Sequence, residues 1–312
     1  MFSRYLSAAK AAMLVAATAW LAPAHAQQLP KEELLFLTSS WKGERFEDGR
    51  PKVEDQWVER AKSIGLADAW TILKNAGYLN QFVGEWKLLR DDVPIVGRAV
   101  TATYIPRRPD VEQHILDRGH AAGRQGNSNT WPIEKLVKGD VYVADGFGKI
   151  AGGTLIGQTL GSAIYNKSGN GVVFDASVRD LEGLLAIDGF NAFVRDFHPS
   201  FLEESMLIGL NSPTRIGRAI VLPGDLVMAQ REGVLFIPAH LVEHVVIRGE
   251  FILLRDRFGF EVIKSGKYSS GQIDNQWTAE IKAAFLKWLE KDPSALKMTA
   301  QQLEKLMEDR TW

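Results

Sequence analysis

The sequence predicts a mixed α/β protein, because two kinds of pattern follow one another along the chain. Between residues 51 and 197, apolar residues at helical spacing alternate with short runs rich in valine and other apolar residues. From Arg218 onward, three apolar runs of strand length occur in succession, and the turn Pro223-Gly224-Asp225 separates the first two. Helices that alternate with strands, followed by consecutive strands, are typical of a mixed sheet packed against helices.

Each predicted element rests on its own local pattern. Trp57, Ala61 and Ile64 recur at helical spacing, whereas the glycine turn at 169–171 leads into a β-branched, apolar strand. Gly146-Phe147-Gly148 is expected to end a strand, and Gly152-Gly153 to open a helix. The predicted helices cover residues 51–77, 110–118, 154–167, 180–187 and 278–289. The predicted strands cover residues 95–105, 140–145, 172–178, 192–197, 219–222, 226–229 and 234–237.

The first 26 residues are typical of a secretory signal peptide. Arg4 and Lys10 accompany an apolar stretch at 11–24, and Ala24-His25-Ala26 has the small residues of a cleavage site. We therefore expect cleavage after Ala26 and a periplasmic or secreted protein, with an uncleaved N-terminal anchor as the alternative. No later segment reaches the roughly 20 apolar residues of a spanning helix, so no stable membrane span is expected after cleavage.

The composition excludes several kinds of site. The chain contains no cysteine, which excludes disulfides, thiol catalysis and thiolate metal sites. Lysine and arginine total 37 against 38 aspartate and glutamate residues, so no basic excess is available to neutralise phosphates. Nucleic acid is therefore not an expected partner.

The charged pair Arg179-Asp180 follows the predicted strand at 172–178 directly. Charges at the end of a buried strand are costly without partners, and the carboxyl ends of strands are where α/β proteins bind ligands. A guanidinium can hold a carboxylate or an oxo group, and a single aspartate can anchor a hydrated divalent cation. The pair is thus a candidate site, with an exposed ion pair that closes the strand as the alternative.

A glycine-rich entry into the predicted helix at 154–167 supplies a second candidate feature. Gly152-Gly153 and Gly157-Gln158-Thr159-Leu160 lie in this segment. Free backbone N–H groups at the start of a helix bind carboxylates or phosphates. Together with Arg179 and Asp180, this loop predicts a site for a small oxo acid and a metal.

Several blocks of the chain resemble the RraA-like superfamily, in order and in spacing. These blocks are residues 139–146, residues 171–180, Pro223-Gly224-Asp225 and residues 232–238, and the resemblance covers about residues 64–244. The superfamily includes class II 4-hydroxy-4-methyl-2-oxoglutarate aldolases, related oxaloacetate decarboxylases and regulators of ribonuclease E activity. The resemblance implies an α/β fold, an RraA-like α-β-β-α sandwich, usually assembled as trimers or hexamers.

The resemblance also implies roles for individual residues. Asp180 matches the aspartate that binds Mg²⁺ or Mn²⁺, and Arg179 matches the catalytic arginine that contacts the substrate oxygens. Gly157, Thr159 and Leu160 match the segment whose backbone amides hold the pyruvyl carboxylate. The implied reaction is carbon–carbon cleavage of a small 2-oxo dicarboxylic acid, which gives pyruvate through a metal-stabilised enolate.

Gln158 departs from the pattern of the aldolases. It stands twenty-one residues before Arg179, where the aldolases carry aspartate or glutamate. An amide cannot take up a proton at neutral pH, so aldol cleavage is in question, whereas decarboxylation needs no removal of a hydroxyl proton. A catalytically inactive RraA-like binding or scaffold protein is the alternative. The preserved Asp180 and the predicted export both disfavour a regulator of ribonuclease E.

The resemblance divides the chain into four parts. We predict a signal peptide at 1–26, an N-terminal extension at 27–63, the RraA-like domain at 64–263 and a C-terminal helical extension at 264–312. The amphipathic stripe within 278–289 is interpreted as a packing face.

The histidines are weaker candidates for functional residues. His240 and His244 are four residues apart, as in some zinc sites, but no third ligand is evident. His114 and His120 lie in a charged segment that the resemblance puts near the substrate opening, and His198 lies in a predicted loop. Solvated surface positions are the expected reading for these three.

Overall fold

The computed structural model describes residues 28–308 and is built around a nine-stranded sheet. The predicted signal peptide at 1–26 lies outside the described residues. The strands are β1 Phe82–Val83, β2 Lys87–Leu88, β3 Ile95–Pro106, β4 Asp140–Thr154, β5 Val172–Val178, β6 Ala192–Phe197, β7 Ser205–Leu210, β8 Thr214–Ile216, β9 Ala219–Val221, β10 Leu226–Gln230 and β11 Gly233–Ile237.

Ten helices surround these strands within the described part of the chain. They are α1 Lys31–Leu37, α2 Asp55–Ala61, α3 Leu66–Asn75, α4 Pro109–Ala121, α5 Gln158–Ser168, α6 Leu181–Leu185, α7 Val242–Lys264, α8 Ser270–Ile273, α9 Ala279–Leu289 and α10 Ala300–Glu308. Between residues 28 and 308, no helix is both long and apolar enough to cross a membrane.

The sheet curls so that its two edge strands, β1 and β2, come close together. The strand order is β1-β11-β10-β3-β4-β5-β6-β2, with β7 paired to the outer part of β3. β1 ends at Val83 and β2 begins at Lys87, so the first and last strands of the order are joined by a short link. β3, β4, β5 and β6 run parallel to one another, which aligns their carboxyl ends.

The two faces of the sheet bury separate cores. Val141 and Val143 of β4 lie in an inner cluster that also receives side chains from β1, β6 and the two-stranded ribbon β8-β9. Tyr142 and Ala144 alternate with them and pack on the outer face, against side chains from α4, α5 and α6. Side chains of α2, α3 and α7 cover the outer face of β10 and β11.

The predicted mixed α/β class is confirmed, and three element boundaries are wrong. The helix predicted over 51–77 is two helices, α2 and α3, because the chain turns at 62–65 and restarts at Gly65 in an extended conformation. The strand predicted to end at Asp145 continues to Thr154, since Gly146 lets β4 approach β5: an added Cβ would lie 2.6 Å from the Ala176 Cβ. The helix predicted from Thr154 begins at Gln158, because Thr154 still pairs with Ser177.

The terminal segments pack onto this sheet and its helices. Arg50 reaches from the N-terminal segment to Asp140 of β4, where both side chains are buried. The C-terminal helices α8–α10 bury an aromatic cluster against α7, in which Phe258, Trp277 and Phe285 make edge-to-face contacts. The boundaries predicted at residues 63 and 264 remain predictions.

Candidate active site at the carboxyl ends of the parallel strands

A cavity of about 440 Å³ lies where three neighbouring parallel strands end. β3 leads to Arg107, β4 to Gly157, and β5 to Arg179 and Asp180, and all four residues line the cavity. Because loops beyond the carboxyl ends of parallel strands share one edge of a sheet, this edge is a natural place for a ligand. Five of the predicted site residues are thus brought together: Gly157, Thr159, Leu160, Arg179 and Asp180.

The backbone holds Arg179 and Asp180 in fixed positions. The Arg179 N–H donates to the Ile156 carbonyl at 3.0 Å, which joins the end of β5 to the loop after β4. Asp180 has a φ of 57°, a left-handed conformation that aspartate adopts more readily than most residues. The Arg179 guanidinium lies 4.5 Å from the centre of the Phe201 ring, and its Nε is 3.9 Å from Asp180 Oδ2. Stacking on Phe201 leaves the guanidinium edge free to donate to a ligand.

The first turn of α5 is a candidate anion-binding turn of the cavity. The Gln158 N–H donates to Asp180 Oδ2 at 3.3 Å. Within residues 28–308, the N–H groups of Thr159 and Leu160 donate to no protein acceptor, and both residues line the cavity. Two free N–H groups at the positive end of an eleven-residue helix can bind a carboxylate.

Glycine is required at position 157, because the Asp180 carboxylate lies close to its Cα. A Cβ added at Gly157 would lie 2.3 Å from Asp180 Oδ2 and 3.1 Å from the Arg179 Cγ. The absence of a side chain therefore leaves room for the carboxylate beside the start of the helix.

The side chain of Gln158 is absent from the wall of the cavity. It is exposed and lies against Gly183 of α6, where an added Cβ would be 2.5 Å from its Oε1. The backbone of Gln158 thus serves the site through Asp180, whereas its amide group points to the neighbouring helix.

Sequence reasoning missed another part of the cavity lining. Arg107 and Glu112 line it and form an ion pair of 2.5 Å between Arg107 Nε and Glu112 Oε2. Asn129 also lines it and donates to the Leu155 carbonyl at 2.9 Å. The available signal was the position of Arg107, which stands two residues after the strand predicted at 95–105.

None of the histidines considered from the sequence lines this cavity. The Nε2 of His120 forms a hydrogen bond with the Gly126 carbonyl at 3.0 Å, and its ring packs against Trp131. His198 accepts a hydrogen bond from the Ser200 N–H at 3.2 Å. Burial lowers the pKa of His240, whose Nε2 lies 3.2 Å from the Tyr78 hydroxyl in a separate pocket.

The residues around Asp180 fit a hydrated divalent cation. Asp180 is 43% exposed, and its Oδ1 accepts no hydrogen bond from any residue between 28 and 308. Gly157 leaves space beside the carboxylate. In the described chain, no group of three or more histidine, aspartate or glutamate side chains converges as a metal cage. Mg²⁺ and Mn²⁺ suit a site with one carboxylate, since they keep most of their waters.

Comparison with known proteins assigns the chain to a family. The model of the RraA-like family, described as Aldolase/RraA, matches residues 63–236. The chain belongs to the RraA-like family. This family includes aldolases and decarboxylases as well as ribonuclease E inhibitors that have no catalytic activity. Family membership alone therefore does not distinguish an enzyme from an inhibitor.

Solved structures share the fold of this RraA-like protein. An uncharacterized protein from Pseudomonas syringae pv. tomato matches with a TM-score of 0.58 and 19% identity, over 72% of this chain and 100% of that chain. Streptomyces coelicolor RraAS2, an unusual member of the RNase ES inhibitor RraA family, matches with a TM-score of 0.55 and 21% identity, over 70% of this chain and 100% of its own. A structure described among novel cellulases from gut-associated microbes matches with a TM-score of 0.58 and 18% identity, over 73% of this chain and 96% of that chain. At these identities the likeness shows a common fold.

Proposed function

We propose that the protein is a divalent-metal-dependent carbon–carbon lyase that releases pyruvate from a small 2-oxo dicarboxylic acid. One observation carries the proposal: Arg179, Asp180 and the free N–H groups of Thr159 and Leu160 line the same cavity. A cationic donor, a carboxylate with an unused oxygen and a helix start are complementary to the three parts of such a substrate: its oxo group, a bound cation and its carboxylate.

The residues of the chain divide the work of binding and orientation. The N–H groups of Thr159 and Leu160 donate to the carboxylate beside the oxo group, and Arg179 donates to the oxo oxygen. Asp180 would hold a divalent cation, which would supply Lewis-acid stabilisation of the negative charge on the substrate. Arg107 also lines the cavity, and its guanidinium would bind the second carboxylate.

The test of this function is metal-dependent release of pyruvate. Oxaloacetate and 4-hydroxy-4-methyl-2-oxoglutarate are supplied with Mg²⁺, with Mn²⁺ and with chelator, and pyruvate is coupled to lactate dehydrogenase. Breakdown of oxaloacetate by the metal alone is subtracted. We expect chelator-sensitive pyruvate from at least one acid, and a folded protein that releases none from either contradicts the lyase.

Asp180→Asn is expected to reduce metal-dependent release of pyruvate by at least about 100-fold, since a neutral amide is a poor ligand for a hard cation. Asparagine tolerates the left-handed backbone of position 180, so the fold is retained. The measurement is kcat with saturating Mn²⁺, together with Mn²⁺ affinity by calorimetry. Glu182→Gln, which changes an exposed carboxylate two residues further on in α6, is the matched control. An Asp180→Asn protein with wild-type turnover would contradict the assignment.

A catalytically inactive binding or scaffold protein is the second candidate. The exposed side chain of Gln158, which lies against Gly183 rather than in the cavity, supports it, because no acid stands at that position. Gln158→Glu distinguishes the two: aldol cleavage that appears only in this variant favours a site that has lost its chemistry.

Export and assembly are part of the same proposal. We propose that residues 1–26 direct the protein to the periplasm or the medium, and that mature chains form trimers or hexamers. Cell fractionation with N-terminal sequencing tests the first, and light scattering coupled to gel filtration tests the second. A cytoplasmic, uncleaved chain or a monomer contradicts the respective part.

A further inference from the structure

Cleavage of a 4-hydroxy-2-oxo acid needs a proton acceptor that Gln158 cannot provide. Breaking the bond between C3 and C4 turns the 4-hydroxyl group into a carbonyl, so its proton must leave. An amide does not accept this proton at neutral pH. The question rests on the proposed lyase function, and the answer lies among the carboxylates of the cavity.

Three carboxylates line the described cavity: Glu112, Asp180 and Glu203. Asp180 is the expected cation ligand, so its oxygens would be engaged by the cation and its waters. Glu203 has an exposed side chain at the rim. Of the three, Glu112 has the least exposed side chain, 17%, and it lines the same cavity as Arg179 and the first turn of α5.

Glu112 is held in place but retains a free oxygen. It lies in the first turn of α4, where its own N–H donates to the Arg108 carbonyl at 2.8 Å. Its Oε2 accepts from Arg107 Nε at 2.5 Å. Within residues 28–308, Oε1 accepts no hydrogen bond. A carboxylate oriented by a guanidinium, with one oxygen available to the ligand, is the arrangement of a general base.

We propose that Glu112 is the proton acceptor for carbon–carbon cleavage of a 4-hydroxy-2-oxo acid at this site. Oε1 takes the proton of the 4-hydroxyl group as that oxygen becomes a carbonyl. The bond between C3 and C4 breaks, and its electron pair passes to C3 and the 2-oxo group. Glu112 then returns the proton to C3, which yields pyruvate and a second carbonyl compound with no net change at the residue.

Decarboxylation of oxaloacetate at the same site does not use this step. Its bond to the leaving carboxylate breaks without loss of a hydroxyl proton, and C3 takes its proton from water. The two substrates therefore share Arg179, Asp180 and the anion-binding turn but differ in their need for Glu112. This difference separates a proton acceptor from a residue that only positions Arg107.

The experiment compares Glu112→Gln with wild type on both acids, using the full mature chain with Mn²⁺. We expect kcat for cleavage of 4-hydroxy-4-methyl-2-oxoglutarate to fall by at least about 100-fold, while kcat for oxaloacetate stays within about 3-fold. Glu112→Asp should restore part of the activity. Asp117→Asn, an exposed carboxylate of α4 outside the cavity lining, is the matched control and should leave both reactions unchanged.

Each other outcome overturns the inference in a recognisable way. Equal losses on both substrates, with an unchanged melting temperature, would assign Glu112 to the positioning of Arg107. Unchanged aldol cleavage in Glu112→Gln would exclude Glu112 as the acceptor. A wild type that decarboxylates oxaloacetate but does not cleave the hydroxy acid would overturn the role of Glu112 and leave the lyase intact. A wild type inactive on both would overturn the lyase and this role together.

Discussion

At the scale of single residues, the candidate site depends on a close approach between Asp180 and the backbone of residue 157 that only glycine permits. Gly157 and Asp180 are 23 residues apart in the chain, yet a Cβ at Gly157 would overlap the carboxylate. The sequence supports both residues as site candidates. It contains no information on their separation, because that distance depends on how β4 and β5 pair.

Gly157→Ala is expected to weaken Mn²⁺ binding and to lower metal-dependent turnover by at least about 10-fold, since the added methyl group displaces Asp180. The φ of −129° at Gly157 suits alanine, so the free energy of unfolding should change by less than about 1 kcal/mol. Calorimetry with Mn²⁺ and urea denaturation measure the two effects. Gly271→Ala, which meets no atom within 4 Å, is the control. Undiminished Mn²⁺ affinity in Gly157→Ala would show that Asp180 does not depend on this space.

At the scale of elements, buried charges attach the N-terminal segment to the sheet. Asp140 at the start of β4 is fully buried and accepts from Arg50 at 3.2 Å and from Arg98 at 3.3 Å. Burial is the largest influence on the pKa of Asp140 and raises it, while the two guanidiniums act in the opposite direction. This ion cluster holds residues 48–55 across the beginning of two central strands.

Arg50→Ala is expected to lower the free energy of unfolding by about 3 kcal/mol, because it leaves Asp140 buried with one guanidinium fewer. Urea denaturation measures the change. Lys52→Ala removes an exposed pair with Glu44 of 3.0 Å and should cost less than about 1 kcal/mol. Equal effects of the two variants would show that the buried cluster contributes no more than a surface pair.

The pattern of elements was largely predictable, and the errors have local causes. The strands predicted at 172–178 and 192–197 match β5 and β6, because short apolar runs bounded by turn residues strongly favour strands. Gly146 and Gly148 suggested the end of a strand, since glycine commonly interrupts one. In the fold, these glycines instead permit an irregular β4 to remain paired with β5.

At the scale of the whole molecule, the rolled sheet decides which groups lose contact with water. Asp225 is the last residue of the predicted turn Pro223-Gly224-Asp225, and turn residues are usually exposed. In the fold it is 4% exposed, and its oxygens accept from the Leu222 N–H at 2.8 Å and the Ala239 N–H at 3.2 Å. Burial raises the pKa of Asp225 to about 7, so the turn carries a carboxyl group that titrates near neutral pH.

This raised pKa predicts a stability that falls as the pH rises. The unfolded chain releases the proton of Asp225 near its ordinary pKa of about 3.9, whereas the folded chain keeps it until about pH 7. The stabilisation of the folded state by protonated Asp225 is therefore complete below about pH 4 and is lost as the pH approaches 7. Between these limits, wild type should lose about 1.4 kcal/mol more per pH unit than Asp225→Asn. Urea denaturation across this range measures the slopes, and parallel slopes would contradict a raised pKa.

The sequence by itself determined the mixed α/β class, the RraA-like resemblance and five of the residues that line the cavity. Strand and helix patterns are local, and the motif blocks keep a constant order, so both are readable without a fold. Only the tertiary structure decided that Arg107 and Glu112 face this cavity and that the side chain of Gln158 does not. The physical reason is that parallel strands distant in the chain end at one edge, where the pairing and rolling of the sheet determine which side chains meet.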